Sequence, residues 1–223
     1  MNRNVLSLAI AAAVAVSATS AQAYEAGDFI FRGGIASVQT DVDSGGLKTN
    51  GVEDKNATVD VDNDTQLGLS FTYMLSDKFG VELLAATPFQ HTLTGKGNLA
   101  ALGDIAEVKH LPPTVSLQYY PMDKNSKFQP YLGLGLNYTV FFSEDFKGAA
   151  GDSFRDLELD SSMGLSGQLG FDYRLNENWA INAAVWYMDI NTTAKFKDSD
   201  GNRYKLDAEL DPLVYMAGVS YKF

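Results

Sequence analysis

The chain has 223 residues, 17 Lys and Arg against 28 Asp and Glu, a formal net charge of −11 and no cysteine. Such acidity excludes a nucleic-acid partner, which needs a basic face. The missing cysteine excludes a disulfide framework and any thiolate metal site.

The first segment reads as a cleavable leader. Asn2-Arg3-Asn4 is a weakly basic start, Val5–Val16 is apolar apart from Ser7, and Ala21-Gln22-Ala23 is a small-x-small cleavage site. The apolar run is too short to span about 30 Å of hydrocarbon. A signal peptide over 1–23 is therefore expected, with residues 24–223 folding as one exported domain of net charge −12. The rest of the chain has no run of 18 apolar residues, so no transmembrane helix is expected.

Eight segments instead alternate with period two, near 27–38, 65–75, 79–91, 104–120, 128–142, 158–174, 178–193 and 211–223. Leu67, Leu69, Phe71 and Tyr73 oppose Gly68, Ser70 and Thr72; Leu132, Leu134, Leu136 and Tyr138 oppose Gly133, Gly135 and Asn137. A helical reading fails on the glycines, each costing about 1 kcal/mol relative to Ala. The last segment sets Leu213, Tyr215, Ala217, Val219, Tyr221 and Phe223 on one face and ends on an aromatic. That suits a strand covered by lipid. The connections alternate too: Ser76–Lys78, Met122–Lys127 and Asn176–Asn178 are short, whereas 39–64, 92–103, 143–157 and 194–206 are long and rich in Gly, Asp and Ser, and are expected as loops. Together these features define an all-β fold, an eight-stranded antiparallel up-and-down transmembrane β-barrel with short periplasmic turns and long external loops. Tyr73, Tyr119, Tyr120, Tyr173, Trp179, Tyr187, Tyr221 and Phe223, near strand ends, are expected to form its interfacial girdle.

Five blocks carry a family resemblance: Leu67–Tyr73 (LGLSFTY), Gly80–Phe89 (GVELLAATPF), His110–Thr114 (HLPPT), Phe128–Tyr138 (FQPYLGLGLNY) and Val185–Ile190 (VWYMDI), with a last strand ending in Tyr-x-Phe. They resemble the outer membrane protein W family over essentially the whole mature chain. The resemblance implies a monomeric eight-stranded barrel of the bacterial outer membrane with a narrow, hydrophobic interior. It also implies a role in taking up small hydrophobic molecules such as hydrocarbons. The departures lie in 39–64 and 143–157.

Strand parity places Leu84, Ala86, Trp186, Met188, Val214 and Met216 inside. These are large, soft and apolar. Leu83 or Leu84, Trp186, Met188 and Met216 are therefore the expected lumen lining, with Trp186 and one of the two leucines as a plug beneath a binding funnel. Parity at Leu83/Leu84 is ambiguous, because a bulge would exchange them. Pro88 on the third strand falls near Pro112 and Pro113 on the fourth when the two are paired about their loop. Proline cannot donate to a ladder, so these three residues are candidates for a lateral opening through which a solute leaves sideways. The alternative sets them in the extracellular extension of the hairpin, where water satisfies the carbonyls. Glu82, Gln168, Asp172 and Arg174 also face inward, toward the periplasmic strand ends, and are expected to form an ion-pair cluster closing the barrel floor.

His91 and His110, the only histidines, should meet at the outer rim as polar residues; with a carboxylate they are also the one candidate metal pair. The acidic runs Asp60-x-Asp62-x-Asp64 and Asp198-x-Asp200 lack the Gly and Glu of a calcium loop and read as solvated charge. No catalytic residue, metal or cofactor is assigned. The expected function is passive uptake of small hydrophobic molecules by an outer-membrane channel. The competing class is a closed surface-interaction barrel, an adhesin or a phage or bacteriocin receptor. Expected partners are outer-membrane lipid and lipopolysaccharide, hydrophobic solutes, and the barrel-assembly machinery acting on the strand that ends at Phe223.

Overall fold

The computed structural model describes residues 24–123 and 125–223, so the expected signal peptide lies outside the described residues. Eight strands form the wall: β1 (Phe29–Gln39), β2 (Asp64–Met74), β3 (Phe79–Ala86), β4 (Thr114–Tyr119), β5 (Phe128–Phe146), β6 (Ser162–Arg174), β7 (Trp179–Met188) and β8 (Leu213–Lys222). All pair antiparallel in the order β4-β3-β2-β1-β8-β7-β6-β5, and β5 returns to β4 from Thr114↔Asn137 to Tyr119↔Leu132. The sheet is closed, so the wall has no free edge.

The alternation in the sequence becomes the two faces of this wall. Leu67, Phe71, Leu117, Leu132, Leu134, Leu136, Met163, Leu165, Leu169 and Tyr215 all project outward and are exposed. So continuous an apolar belt far exceeds the patches that soluble monomers tolerate. At the short-turn end, cross-strand partners are aromatic: Phe29 faces Tyr73, Phe79 faces Tyr119, and Trp179 faces Tyr221, with ring centroids 4.8, 5.2 and 4.9 Å apart. This is the expected girdle with one correction. Tyr120 is buried inside the barrel, because it continues the inward parity of Thr114, Ser116 and Gln118 on β4.

Inward positions alternate bulk with its absence. A Cβ on Gly170 would run into the Tyr131 ring, so glycine there lets a buried tyrosine cross the narrow bore.

The long connections are not loops, as their composition suggested, but strands that carry the wall upward. β5 runs on past the wall and pairs with the strand Asp104–Leu111, which forms a hairpin with Phe89–Gly97, and Ala57–Val61 lies beside that. A separate rim sheet orders Phe154–Leu159, Asn191–Asp198, Arg203–Glu209, Leu47–Thr49 and Val52–Asp54, with Asp43–Ser44 also on Arg203–Glu209. One helical turn, Gly148–Ser153, closes the connection after β5. The third and fourth expected strands are each broken in two, at Thr87-Pro88 and Pro112-Pro113.

Candidate functional site

The interior divides into three levels. At the short-turn end, Arg32 on β1 is wholly buried. Its Nη2 donates to Asp172 Oδ2 at 2.7 Å and to Tyr120 Oη at 2.9 Å, and its Nη1 donates to Thr72 Oγ1 at 2.8 Å and lies 3.4 Å from Glu82 Oε2. The guanidinium also lies over the Tyr131 ring, 4.8 Å from its centroid. Asp172 accepts further from Tyr24 Oη at 2.7 Å, Asn182 Nδ2 at 2.9 Å and Ser220 Oγ at 3.0 Å. Gln168 Nε2 donates to Glu82 Oε1 at 2.9 Å, and Gln168 Oε1 accepts from Gln118 Nε2 at 3.1 Å. Strands β1, β2, β3, β6, β7 and β8 thus meet in one polar network, with β4 joining through Gln118. Buried charges persist only when paired and hydrogen-bonded in this way.

Glu82, Gln168 and Asp172 fall together as parity implied. Arg174 is buried near the end of β6, and its backbone N–H bonds Lys127 O, but the cation at the centre of the network is Arg32. The sequence reading passed over Arg32. Its signal was available: with Phe29 and Phe31 outward, Arg32 had to point in.

Above this floor, Leu84, Trp186, Met188, Val214 and Met216 pack into one apolar layer. Trp186 sits directly across from Gln168 on one side and Val214 on the other, bridging floor and layer. Leu83 is a correction to the expected lining. It is 46% exposed on the outer wall, paired with Phe71 and Val115, because β3 keeps regular pleating through this point and places only Leu84 inside.

The third level is an open cavity of ≈ 50 Å³ beneath the rim, walled by Val38, Val59, Leu93, Val108, Phe141 and Leu206 among others. By volume it has room for roughly three to five waters, and its wall is mostly apolar. Leu84, Trp186, Met188 and Met216 are not part of that wall; they form the packed layer below it.

His91 and His110 also border this cavity, Nε2 to Nε2 at 3.0 Å. His91 Nδ1 lies 2.6 Å from Asp62 O, so it carries a proton and donates there. With both rings neutral, His91 Nε2 then accepts from His110 Nε2. Burial, reinforced by the neighbouring His91, pushes the His110 imidazole down to about 3. Among the described residues no group of three or more His, Cys, Asp or Glu gathers as metal ligands.

Beside the cavity the wall is open on one seam. The last rung joining β3 to β4 is Leu84↔Thr114, and the next rung above is Phe89↔His110. Ala85–Pro88 and Leu111–Pro113 face each other without a ladder. Each remains tied to its other neighbour: Ala85 and Ala86 pair with Leu69 and Gly68, Thr87 N–H donates to Leu67 O, and Leu111 pairs with Val140. The proline carbonyls are satisfied from the β5 side, where Tyr138 N–H donates to Pro113 O at 3.0 Å and Asn137 Nδ2 to Pro112 O at 3.2 Å. The three prolines therefore lie at one break in the wall, just above the last β3–β4 rung. Pro88 and Pro113 are exposed and Pro112 is buried.

A closed antiparallel barrel with an apolar outer belt, aromatic pairs at its short-turn end and a polar interior floor is a β-barrel membrane protein. The comparisons with known proteins narrow this. The OmpW family model matches residues 25–223. Outer membrane protein W of Vibrio cholerae is 45% identical over 225 residues, covering 100% of both chains. The protein of the same name from Escherichia coli K12 is 45% identical over 220 residues, covering 98% of this chain and 99% of that one. The crystal structure of OprG from Pseudomonas aeruginosa superposes with a TM-score of 0.87 at 52% identity, covering 91% of this chain and 98% of that one. The chain belongs to the OmpW family. It is an outer-membrane barrel of a Gram-negative bacterium, set among the lipids of that membrane, and not an enzyme.

Proposed function

We propose that this barrel admits small hydrophobic molecules passively and releases them sideways into the membrane. Solute enters from outside through the rim, rests in the apolar cavity at Val38, Leu93 and Phe141, and leaves through the seam between Ala85–Pro88 and Leu111–Pro113. The single observation that carries the reading is that the seam ends at the Phe89↔His110 rung, and His110 also borders the cavity. The layers below support it. The packed Trp186, Met188 and Met216, and then the buried Arg32 network, lie across the bore below, so a route to the periplasm is the harder one. On this reading residues 1–23 are the signal peptide, Phe223 ends the strand offered to the assembly machinery, and one chain suffices.

The closed lower barrel also favours a second reading, a surface-interaction protein whose rim is the working part. Vesicles with a lipopolysaccharide outer leaflet separate the two. With the protein inserted they should take up a hydrophobic fluorophore faster than protein-free vesicles. Equal rates would leave the interaction reading.

A further inference from the structure

The rim sheet has two unlike faces. Ala194, Phe196, Tyr204 and Leu206 point inward, with Phe196 and Tyr204 stacked at 5.1 Å, and they join the apolar packing under the rim. The opposite face is charged, and its charge is sorted into rows. Register aligns Arg155, Lys197 and Arg203 directly across three strands, while the row below runs Glu158, Lys195, Lys205, Lys48 and Glu53. The upper row alone is wholly cationic.

Like charges directly opposite one another destabilise a sheet. The lower row is compensated: Lys195 meets Asp160 at 2.6 Å, and Lys48 and Lys205 share Asp207 at 2.8 and 3.0 Å. The upper row is not. Only Lys197 has a carboxylate, Asp156 at 3.6 Å, while Arg155 Nη2 donates to the neutral Ser199 Oγ at 2.6 Å. Among the described residues Arg203 has no ion pair. Two arginine forks and a lysine, held on a rigid sheet and facing out, match the oxygens of a phosphate group.

The position selects the partner. Leu213 is still in the lipid-facing belt, and Arg203 is ten residues earlier on the same ascending wall. At about 3.3 Å per residue and a tilt near 40°, the row stands at most roughly 25 Å above the hydrocarbon edge. That lies beyond the lipid phosphates, among the sugars that surround an outer-membrane protein.

We propose that Arg155, Lys197 and Arg203 bind the phosphorylated core saccharide of neighbouring lipopolysaccharide. The contact would anchor the rim sheet in the sugar layer and supply the negative charge that the row lacks. It does not depend on solute uptake.

The test is titration of the purified protein in detergent micelles with rough lipopolysaccharide carrying core phosphates, the same material after removal of those phosphates, and lipid A alone. The variant is Arg155→Ser/Lys197→Ser/Arg203→Ser, all exposed positions, with heat-modifiable gel mobility confirming the folded barrel. The expected result is a loss of about tenfold or more in affinity for the phosphorylated form, the scale of lost charge-assisted contacts, and little change for the other two ligands. Three results would overturn the proposal: equal affinity of variant and parent for the phosphorylated form, no preference of the parent for it over the dephosphorylated form, or lipid A binding as tightly as the whole molecule.

Discussion

Arg32→Met is the most informative single change in the barrel. It removes a guanidinium bonded to Asp172, Thr72 and Tyr120 and lying 3.4 Å from Glu82, and leaves both carboxylates buried inside the wall. Asp172 keeps three donors, from Tyr24, Asn182 and Ser220, and Glu82 keeps Gln168. Hydrogen bonds therefore survive while charge balance does not. Breaking one partner out of a buried pair costs about 3–5 kcal/mol, and the remaining donors place this site toward the lower end. Urea unfolding in lipid vesicles, followed by tryptophan fluorescence, measures it. The triple variant Arg32→Met/Glu82→Gln/Asp172→Asn removes all three charges of the network and should recover at least half of the loss. A cost below about 1 kcal/mol for the single variant, well under the buried-pair range, would show that the network is not what holds the floor. So would a triple variant no more stable than the single one.

Two other predictions concern the rim and the bore. His110 is held down at about 3 against an ordinary 6.5, so the folded rim binds fewer protons than the unfolded one. Its stability is then complete above about pH 6.5 and falls by about 1.4 kcal/mol per unit as pH drops toward 3; hydrogen exchange of the 89–111 hairpin at pH 7.5 and pH 5 should show this step, and His110→Phe should abolish it. Gly170→Ala drives a methyl into the Tyr131 ring and should cost about 1–3 kcal/mol, with Gly170→Ala/Tyr131→Leu restoring most of it; an unaltered urea midpoint in the single variant would contradict the packing.

Much of the wall was readable because a barrel writes its two faces into alternate residues. Leu67, Leu69, Phe71 and Tyr73 fix a register that the observed pairing Phe71↔Phe31 and Tyr73↔Phe29 repeats. Leu83/Leu84 defeated the same logic, since leucine suits lipid and lumen equally and only the pleat decides between them. The rim strands were missed for a compositional reason. Asn191–Asp198 does alternate, Thr192, Ala194 and Phe196 in and Lys195 and Lys197 out, but it lies among Asp, Gly and Asn and so reads as loop. The seam was half legible. Prolines announce where a ladder stops, but not that Asn137, from a third strand, would hold the carbonyls they strand. The cavity was out of reach, because its walls come from eight separate stretches of chain that only the rim pairing assembles.

Sideways release depends on the seam, and closing it is the direct test. Replacing Pro88, Pro112 and Pro113 with Val, Thr and Val restores the missing N–H donors and lets β3 zip to β4 through the break. Uptake of a hydrophobic fluorophore into vesicles with a lipopolysaccharide outer leaflet should then fall to the protein-free rate, while heat-modifiable mobility stays that of the folded barrel. Uptake as fast as the parent's from a zipped, folded barrel would mean that solute takes another path.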